Sequence, residues 1–213
     1  MPLSTTDTDA QAAPAPAVAE RGLGLLYLIA GLLGLVAAVV LLVESIALLK
    51  NPDYVPTCSI NPILSCGSVM NTPQAAAFGI PNPIIGVAGF AALSMLAVVI
   101  LTGATIRPWL WTATQASVTF AVIFIHWLIY QSLYVIGALC PYCMLVWVVT
   151  IAVFWHTTIH TLQRLHGPAG SRQRETVAVL TDYRGAILTG WYLVIVVLIA
   201  HRFWTYWITL IPS

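Results

Sequence analysis

The sequence GALCPYCMLVW, residues 137–147, places two cysteines three positions apart where one long apolar segment ends and another begins. A proline fits the first position of a helix, where its missing N–H is not needed, so Cys140 is predicted to be the N-cap and Cys143 the third helical residue. At the positive end of a helix a thiolate is stabilised and the pKa of a cysteine falls. Since Cys143 lies deeper along the helix, we expect Cys140 to face water and Cys143 to face the lipid.

Composition indicates an all-α integral membrane protein. Hydrophobic residues make up 60% of the 213 residues and charged residues only 7%, which is too little charge to cover a soluble domain. No basic cluster suggests binding to nucleic acid. Apolar runs of about 20 residues or more are long enough to cross the membrane as helices. They predict the segments Leu23–Leu49, Pro83–Thr102, Trp109–Gly137, Pro141–Leu162 and Ala186–Ile211.

The distribution of basic residues predicts the orientation. Cytoplasmic flanks retain positive charge, and a cytoplasmic N-terminus leaves Lys50 as the one clearly external cation. We therefore expect a multi-pass protein of the cell inner (plasma) membrane, with its N-terminus in the cytoplasm. All four cysteines then lie on the outer side. The arginines placed inside are Arg21, Arg107, Arg164, Arg172, Arg174 and Arg184.

The remaining segments are predicted from their composition. Residues 1–20 contain few large apolar side chains and are expected to form a disordered cytoplasmic tail. Residues 21–162 form a four-helix membrane domain with an outer loop at 50–82. Residues 163–185 are interpreted as a cytoplasmic linker, and residues 186–213 as a fifth transmembrane helix.

The four cysteines, Cys58, Cys66, Cys140 and Cys143, allow three disulfide pairings. A Cys140–Cys143 bond fits the short distance between positions i and i+3 at a helix start, which leaves Cys58 with Cys66. Such a short loop constrains little chain entropy, so a redox centre is favoured over structural disulfides that hold helix ends together. A zinc site is the weaker alternative, because Cys58 and Cys66 are eight residues apart.

The order Cys58, Cys66, GIPNPIIG (residues 79–86) and CPYC (residues 140–143) resembles the vitamin K epoxide reductase family, including its bacterial homologues. The similarity runs from about Arg21 to Leu162. The resemblance implies a four-helix bundle around a quinone of the menaquinone, ubiquinone or vitamin K type. It also implies a thiol:quinone oxidoreductase that supports disulfide bond formation. The fused thioredoxin-like domain of some bacterial members has no counterpart here, so the partner is expected to be a separate extracytoplasmic thioredoxin-like (DsbA-like) protein.

The resemblance also assigns roles to individual residues. Cys58 corresponds to the thiol that meets the partner, Cys66 to the thiol that attacks Cys140, and Cys143 to the thiol beside the quinone. Asn82 corresponds to an asparagine that donates a hydrogen bond to a quinone oxygen, and it is also predicted to cap the second membrane helix. Trp147 stands where vertebrate members have a tyrosine that binds the other quinone oxygen. An indole N–H can donate one hydrogen bond, with a different reach.

Two other interpretations remain open at the level of sequence. A DsbB-like oxidoreductase does the same task but carries its quinone-linked C-x-x-C in the first outer loop, so the order of the pairs here argues against it. A structural membrane protein with two disulfides would show no response of its redox state to quinone. His126 lies in the third segment near the middle of the bilayer, where a hydrogen bond between helices explains it as well as a site role does.

Overall fold

The computed structural model describes residues 15–165 and 172–209. Within these ranges it is helical without an extended β-strand, and five helices are long and apolar enough to cross a membrane. The predicted all-α membrane fold is thereby confirmed. The helices are α1 (Ala15–Lys50), α2 (Cys66–Met70), α3 (Asn82–Leu101), α4 (Pro108–Tyr130), α5 (Pro141–Leu165), α6 (Arg172–Asp182), α7 (Arg184–Arg202) and α8 (Trp204–Thr209).

Helices α1, α3, α4 and α5 form the bundle, and small residues let α1 and α3 approach closely. A Cβ atom added to Gly34 would overlap the Phe90 ring, and one added to Gly31 would lie 2.5 Å from the Ser94 hydroxyl oxygen. Membrane helices lack a hydrophobic drive to associate, so they depend on such close packing. The small residues of α1 therefore fix the distance between the two helices that border the site.

A buried hydrogen bond joins α1 to α5 in the middle of the bundle. The Tyr27 and Thr157 hydroxyl oxygens lie 2.6 Å apart, and both side chains are fully buried. At the end of the bundle away from the cysteines, Arg164 of α5 pairs with Glu20 of α1 and stacks over the Trp111 ring of α4. These contacts hold three helices in register.

Helix α7 is attached to the bundle rather than embedded in it. It has no buried residue, and its links to the bundle include Trp191 Nε1 donating to His126 Nε2 at 3.0 Å. Arg202 Nε donates to the Leu133 carbonyl at 2.8 Å, inside a π-helical turn that extends α4 from Gln131 to Ile136. His126 thus makes the hydrogen bond between helices that the sequence suggested.

Several predicted boundaries differ from the structure. Helix α1 begins at Ala15, so the last residues of the predicted tail are helical, while residues 1–14 lie outside the described part. The predicted linker 163–185 contains α6, and its residues 166–171 also lie outside the described part. The fifth membrane helix ends at Arg202 and is followed by α8, whereas the apolar run continued to Ile211.

Candidate active site

The outer loop between α1 and α3 is joined to the head of α5 by main-chain hydrogen bonds. Leu64 and Leu139 form an isolated parallel β-bridge, in which Leu139 N–H donates to the Ile63 carbonyl at 2.7 Å and Ser65 N–H donates to the Leu139 carbonyl at 2.9 Å. Leu64 lies two residues before Cys66, and Leu139 lies directly before Cys140. The bridge therefore brings these two cysteines together although they are far apart in sequence.

Three cysteines meet at this bridge. Cys58 and Cys66 form a disulfide, and the Cys140 sulfur lies 3.2 Å from the Cys66 sulfur. Cys140 and Cys143 are free, so the Cys140–Cys143 disulfide expected from their spacing is not formed in this structure. The sulfurs of Cys58, Cys66 and Cys140 lie within 4.8 Å of one another, but the disulfide removes two of the thiolates that a zinc ion would need.

Cys140 caps helix α5 as predicted. The helix begins at Pro141, and the Cys143 N–H donates to the Cys140 sulfur at 3.4 Å. The pKa of Cys140 lies below its usual range, chiefly because the Cys143 thiol hydrogen-bonds its sulfur, and the N–H groups of Tyr142 and Cys143 add to the effect against the opposing effect of burial. Such a shift favours the reactive thiolate form.

The expectation that Cys140 faces water is wrong. Cys140 is only 1% exposed, because the loop that carries the Cys58–Cys66 disulfide covers it. Cys58 is also buried, at 6% exposure, whereas its neighbours Val55 and Ile60 are 71% and 70% exposed. The first thiol of the proposed relay is therefore covered in this conformation, beside an exposed apolar surface.

A cavity of about 1140 Å³ is lined by Cys143 and by residues of α1, α3, α4, α5 and the loop between α1 and α3. Its wall is mostly apolar, and Asn82, Gln131, Ser132 and Trp147 contribute polar groups to it. Ligand cavities in proteins typically hold about 300–1,000 Å³. The space suits a flat ring with an apolar chain, next to the one thiol of the helix pair that is only partly buried.

A sequence model of the vitamin K epoxide reductase family matches residues 25–158. The chain belongs to this family. The matched region contains the four cysteines, Asn82 and Trp147, and it ends before α7. No curated protein gives a significant match. Family membership gives the chain an all-helical membrane fold and a general oxidoreductase activity, and the family is known to use quinones.

Asn82 lines the cavity, but it does not cap the second membrane helix of this family member. Helix α3 already includes Asn82, Pro81 is the N-cap residue, and no side chain makes a capping bond. The Asn82 side chain instead binds the outer loop, because Nδ2 donates to the Gln74 carbonyl at 2.7 Å and Oδ1 accepts from Ala77 N–H at 3.1 Å. An amide nitrogen carries two hydrogens, so one donor remains for a ligand.

Trp147 is buried and lines the same cavity, four residues after Cys143 on α5. Two glutamines that the sequence analysis missed also border the cavity, and Gln74 Nε2 donates to Gln131 Oε1 at 3.4 Å. They come from the outer loop and from the start of the π-helical turn. The sequence carried no signal for this pair, because a loop of this length does not reveal which residues return to the bundle.

Proposed function

We propose that the protein is a membrane thiol:quinone oxidoreductase that passes electrons from a thioredoxin-like protein through Cys58 and Cys66 to Cys140 and Cys143, and then to a quinone. The observation that supports this most strongly is the 3.2 Å contact between the Cys66 and Cys140 sulfurs. A disulfide next to a free thiol is the arrangement that thiol–disulfide exchange requires.

The relay begins at the loop disulfide. A thiolate of the reduced partner attacks Cys58, which forms a bond between the partner and Cys58 and releases Cys66 as a thiolate. The second thiol of the partner then attacks its own bonded sulfur, so the partner leaves as a disulfide and Cys58 is released as a thiol. Two electrons have moved from the partner to the loop pair.

The second exchange takes place between the two pairs of this chain. The Cys66 thiolate attacks Cys140 of a Cys140–Cys143 disulfide, forming a Cys66–Cys140 bond and releasing Cys143. Cys58 then attacks Cys66, which restores the Cys58–Cys66 disulfide and releases Cys140. The lowered pKa of Cys140 makes it a good leaving group in this step.

The cavity beside Cys143 is the proposed site of the quinone. A bound quinone supplies an acceptor for two electrons and two protons, and it leaves as a hydroquinone while Cys140 and Cys143 return to a disulfide. The chain contributes the dithiol, an apolar wall that excludes water, and the Asn82 amide and Trp147 as candidate partners of the ring oxygens. A donor placed where charge develops on oxygen accelerates such a step.

The proposal places the protein in the cell inner membrane, with its N-terminus in the cytoplasm and the cysteines outside. The excess of arginines in the segments assigned to the cytoplasm supports this orientation. The partner is an extracytoplasmic thioredoxin-like protein, since disulfides persist on that side of the membrane. The structural alternative explains the loop disulfide, but it does not explain a free, buried Cys140 in contact with it.

The proposal is tested by reconstituting the purified protein in lipid vesicles that contain menaquinone or ubiquinone. After addition of a reduced thioredoxin-like protein, we expect hydroquinone and oxidised partner to form in equal amounts. Omission of the quinone should stop oxidation of the partner after a single turnover. Continued oxidation of the partner without quinone, or no reduction of quinone by either the partner or a small dithiol, would exclude this function.

A further inference from the structure

Glu44 is a carboxylate near the outer end of the first membrane helix, and the relay described above does not use it. Its side chain is only 5% exposed. The described ion pairs do not include one between Glu44 and Lys50, the nearest cation in sequence. A buried carboxylate in a membrane helix is costly unless it has a function or a strong partner.

One partner of Glu44 is Thr57, the loop residue directly before Cys58. Glu44 Oε1 accepts hydrogen bonds from the Thr57 hydroxyl at 2.5 Å and from the Thr57 N–H at 3.3 Å. The other oxygen, Oε2, is also buried. The Tyr54 side chain of the same loop hydrogen-bonds the Glu44 carboxylate as well. The carboxylate thus directs its contacts to the loop segment that leads to Cys58.

The contact fixes one end of the short segment between Thr57 and Cys66. The other end is fixed by the Leu64–Leu139 bridge, which keeps Cys66 beside Cys140. Cys58 lies at the Glu44 end and is buried, although Val55 and Ile60 on either side of it are exposed. Hydrogen bonds to a charged group are among the stronger ones in proteins, so this end is held firmly.

We propose that Glu44 is a positioning residue that holds Cys58 in its buried position through Thr57, and that release of this contact exposes Cys58 to the thioredoxin-like partner. The inference rests on the proposed function only for the identity of the partner. The Glu44–Thr57 contact favours the conformation in which the loop pair exchanges with Cys140. Its opening favours the conformation in which the loop pair is reduced from outside.

The test measures the exposure of the Cys58 thiol without any quinone or partner. Cys66, Cys140 and Cys143 are replaced by alanine, and the remaining Cys58 is alkylated with a maleimide in detergent micelles. Glu44→Leu should make alkylation about tenfold or more faster, because the hydrogen bonds to a charged group are lost. Glu44→Gln should raise the rate much less than Glu44→Leu, since its amide oxygen still accepts from Thr57 although the charge is lost. Thr57→Val removes only the hydroxyl bond and should give an intermediate rate.

A second thiol separates this effect from unfolding. Val149 is buried in the bundle on α5, and a Val149→Cys reporter in a background without the four native cysteines should stay unreactive in Glu44→Leu. If Glu44→Leu leaves the alkylation rate of Cys58 unchanged, or raises that of the reporter thiol equally, the proposal is wrong. Because no activity is measured, these outcomes are independent of whether the chain reduces quinone.

Discussion

The two cysteine pairs meet at one sulfur contact, but they are held by different kinds of structure. Cys140 and Cys143 lie at the start of α5, where local helix geometry sets their spacing. The Cys143 thiol and, to a smaller extent, the capping N–H groups lower the pKa of Cys140. Cys58 and Cys66 lie on a loop whose path depends on a β-bridge to Leu139 and on a carboxylate of α1. A cysteine pair at the start of a helix keeps its position and suits chemistry at a fixed cavity. A cysteine pair on a loop that is attached at two points suits the proposed transfer of electrons from the partner to the helix pair.

The largest expected effect comes from the rigid pair. Cys143→Ser should abolish quinone reduction with any reductant, because a single thiol at Cys140 cannot return to a disulfide within the pair. The measurement is hydroquinone formation by purified protein given a quinone and dithiothreitol. Near-normal turnover would show that Cys143 does not take part in the reaction. The helix pair could then not be the pair that reduces the quinone.

The loop pair should show a selective loss. Cys66→Ala should stop turnover with a thioredoxin-like partner but retain much of it with dithiothreitol, which can reach the helix pair from the cavity beside the partly exposed Cys143. The two reductants are compared at the same subsaturating concentration of quinone, so that the cavity is open to dithiothreitol for part of the time. Equal losses with both would mean that the loop disulfide is structural.

An effect of about 10²–10³ in rate is expected for Asn82→Asp, the usual cost of losing one donor to a developing negative charge. Aspartate still accepts from Ala77 N–H but, when ionised, cannot donate to the Gln74 carbonyl or to a quinone. Turnover per folded molecule is measured together with thermal stability. A destabilised variant with normal turnover would show that Asn82 only connects the loop to α3 and does not act on the quinone.

The smallest expected effect is on the pH dependence of the rate of thiol–disulfide exchange between the two cysteine pairs. In Cys143→Ser protein, the Cys140 thiolate attacks the loop disulfide, and the released Cys58 is trapped by alkylation. Because the folded pKa of Cys140 is lowered, its thiolate persists below the pH at which an ordinary cysteine is protonated, and the rate falls only as the pH drops through the folded pKa.

The matched control for the pH experiment is Cys143→Ala. Serine still donates a hydrogen bond to the Cys140 sulfur, whereas alanine does not, so the midpoint should lie at higher pH in the alanine variant. At neutral pH we expect its rate to be about three- to tenfold lower, the range for one hydrogen bond. Identical profiles would show that the capping N–H groups alone activate Cys140.

The sequence predicted the parts of the molecule that depend on local pattern. Each of the five spans lies within a few residues of its apolar run, except at the end of the last span. Cys140 caps α5 because Pro141 favours the first position of a helix. It also predicted the family, from the order of short motifs. The assignments to Asn82, Trp147 and the individual cysteines remain predictions for the experiments above.

Features that depend on the path of the outer loop were beyond prediction. Asn82 was expected to cap α3, but its side chain hydrogen-bonds the loop backbone at Gln74 and Ala77 instead. The contact between Glu44 and Thr57 joins a helix to a loop thirteen residues further on, and no periodicity links them. Hydrogen bonds of this kind depend on how the loop packs against the helices. They can therefore be assigned only when the three-dimensional path of the loop is known.

The β-bridge between Leu64 and Leu139 has a kinetic consequence. In the proposed relay, it holds Cys66 beside Cys140 and so makes the exchange between the pairs a first-order process with a high effective concentration of one sulfur near the other. Delivery of electrons by the proposed thioredoxin-like partner is second order. At low concentrations of the reduced partner, collision with the loop therefore limits the overall rate, and only at high concentrations do the internal steps become visible.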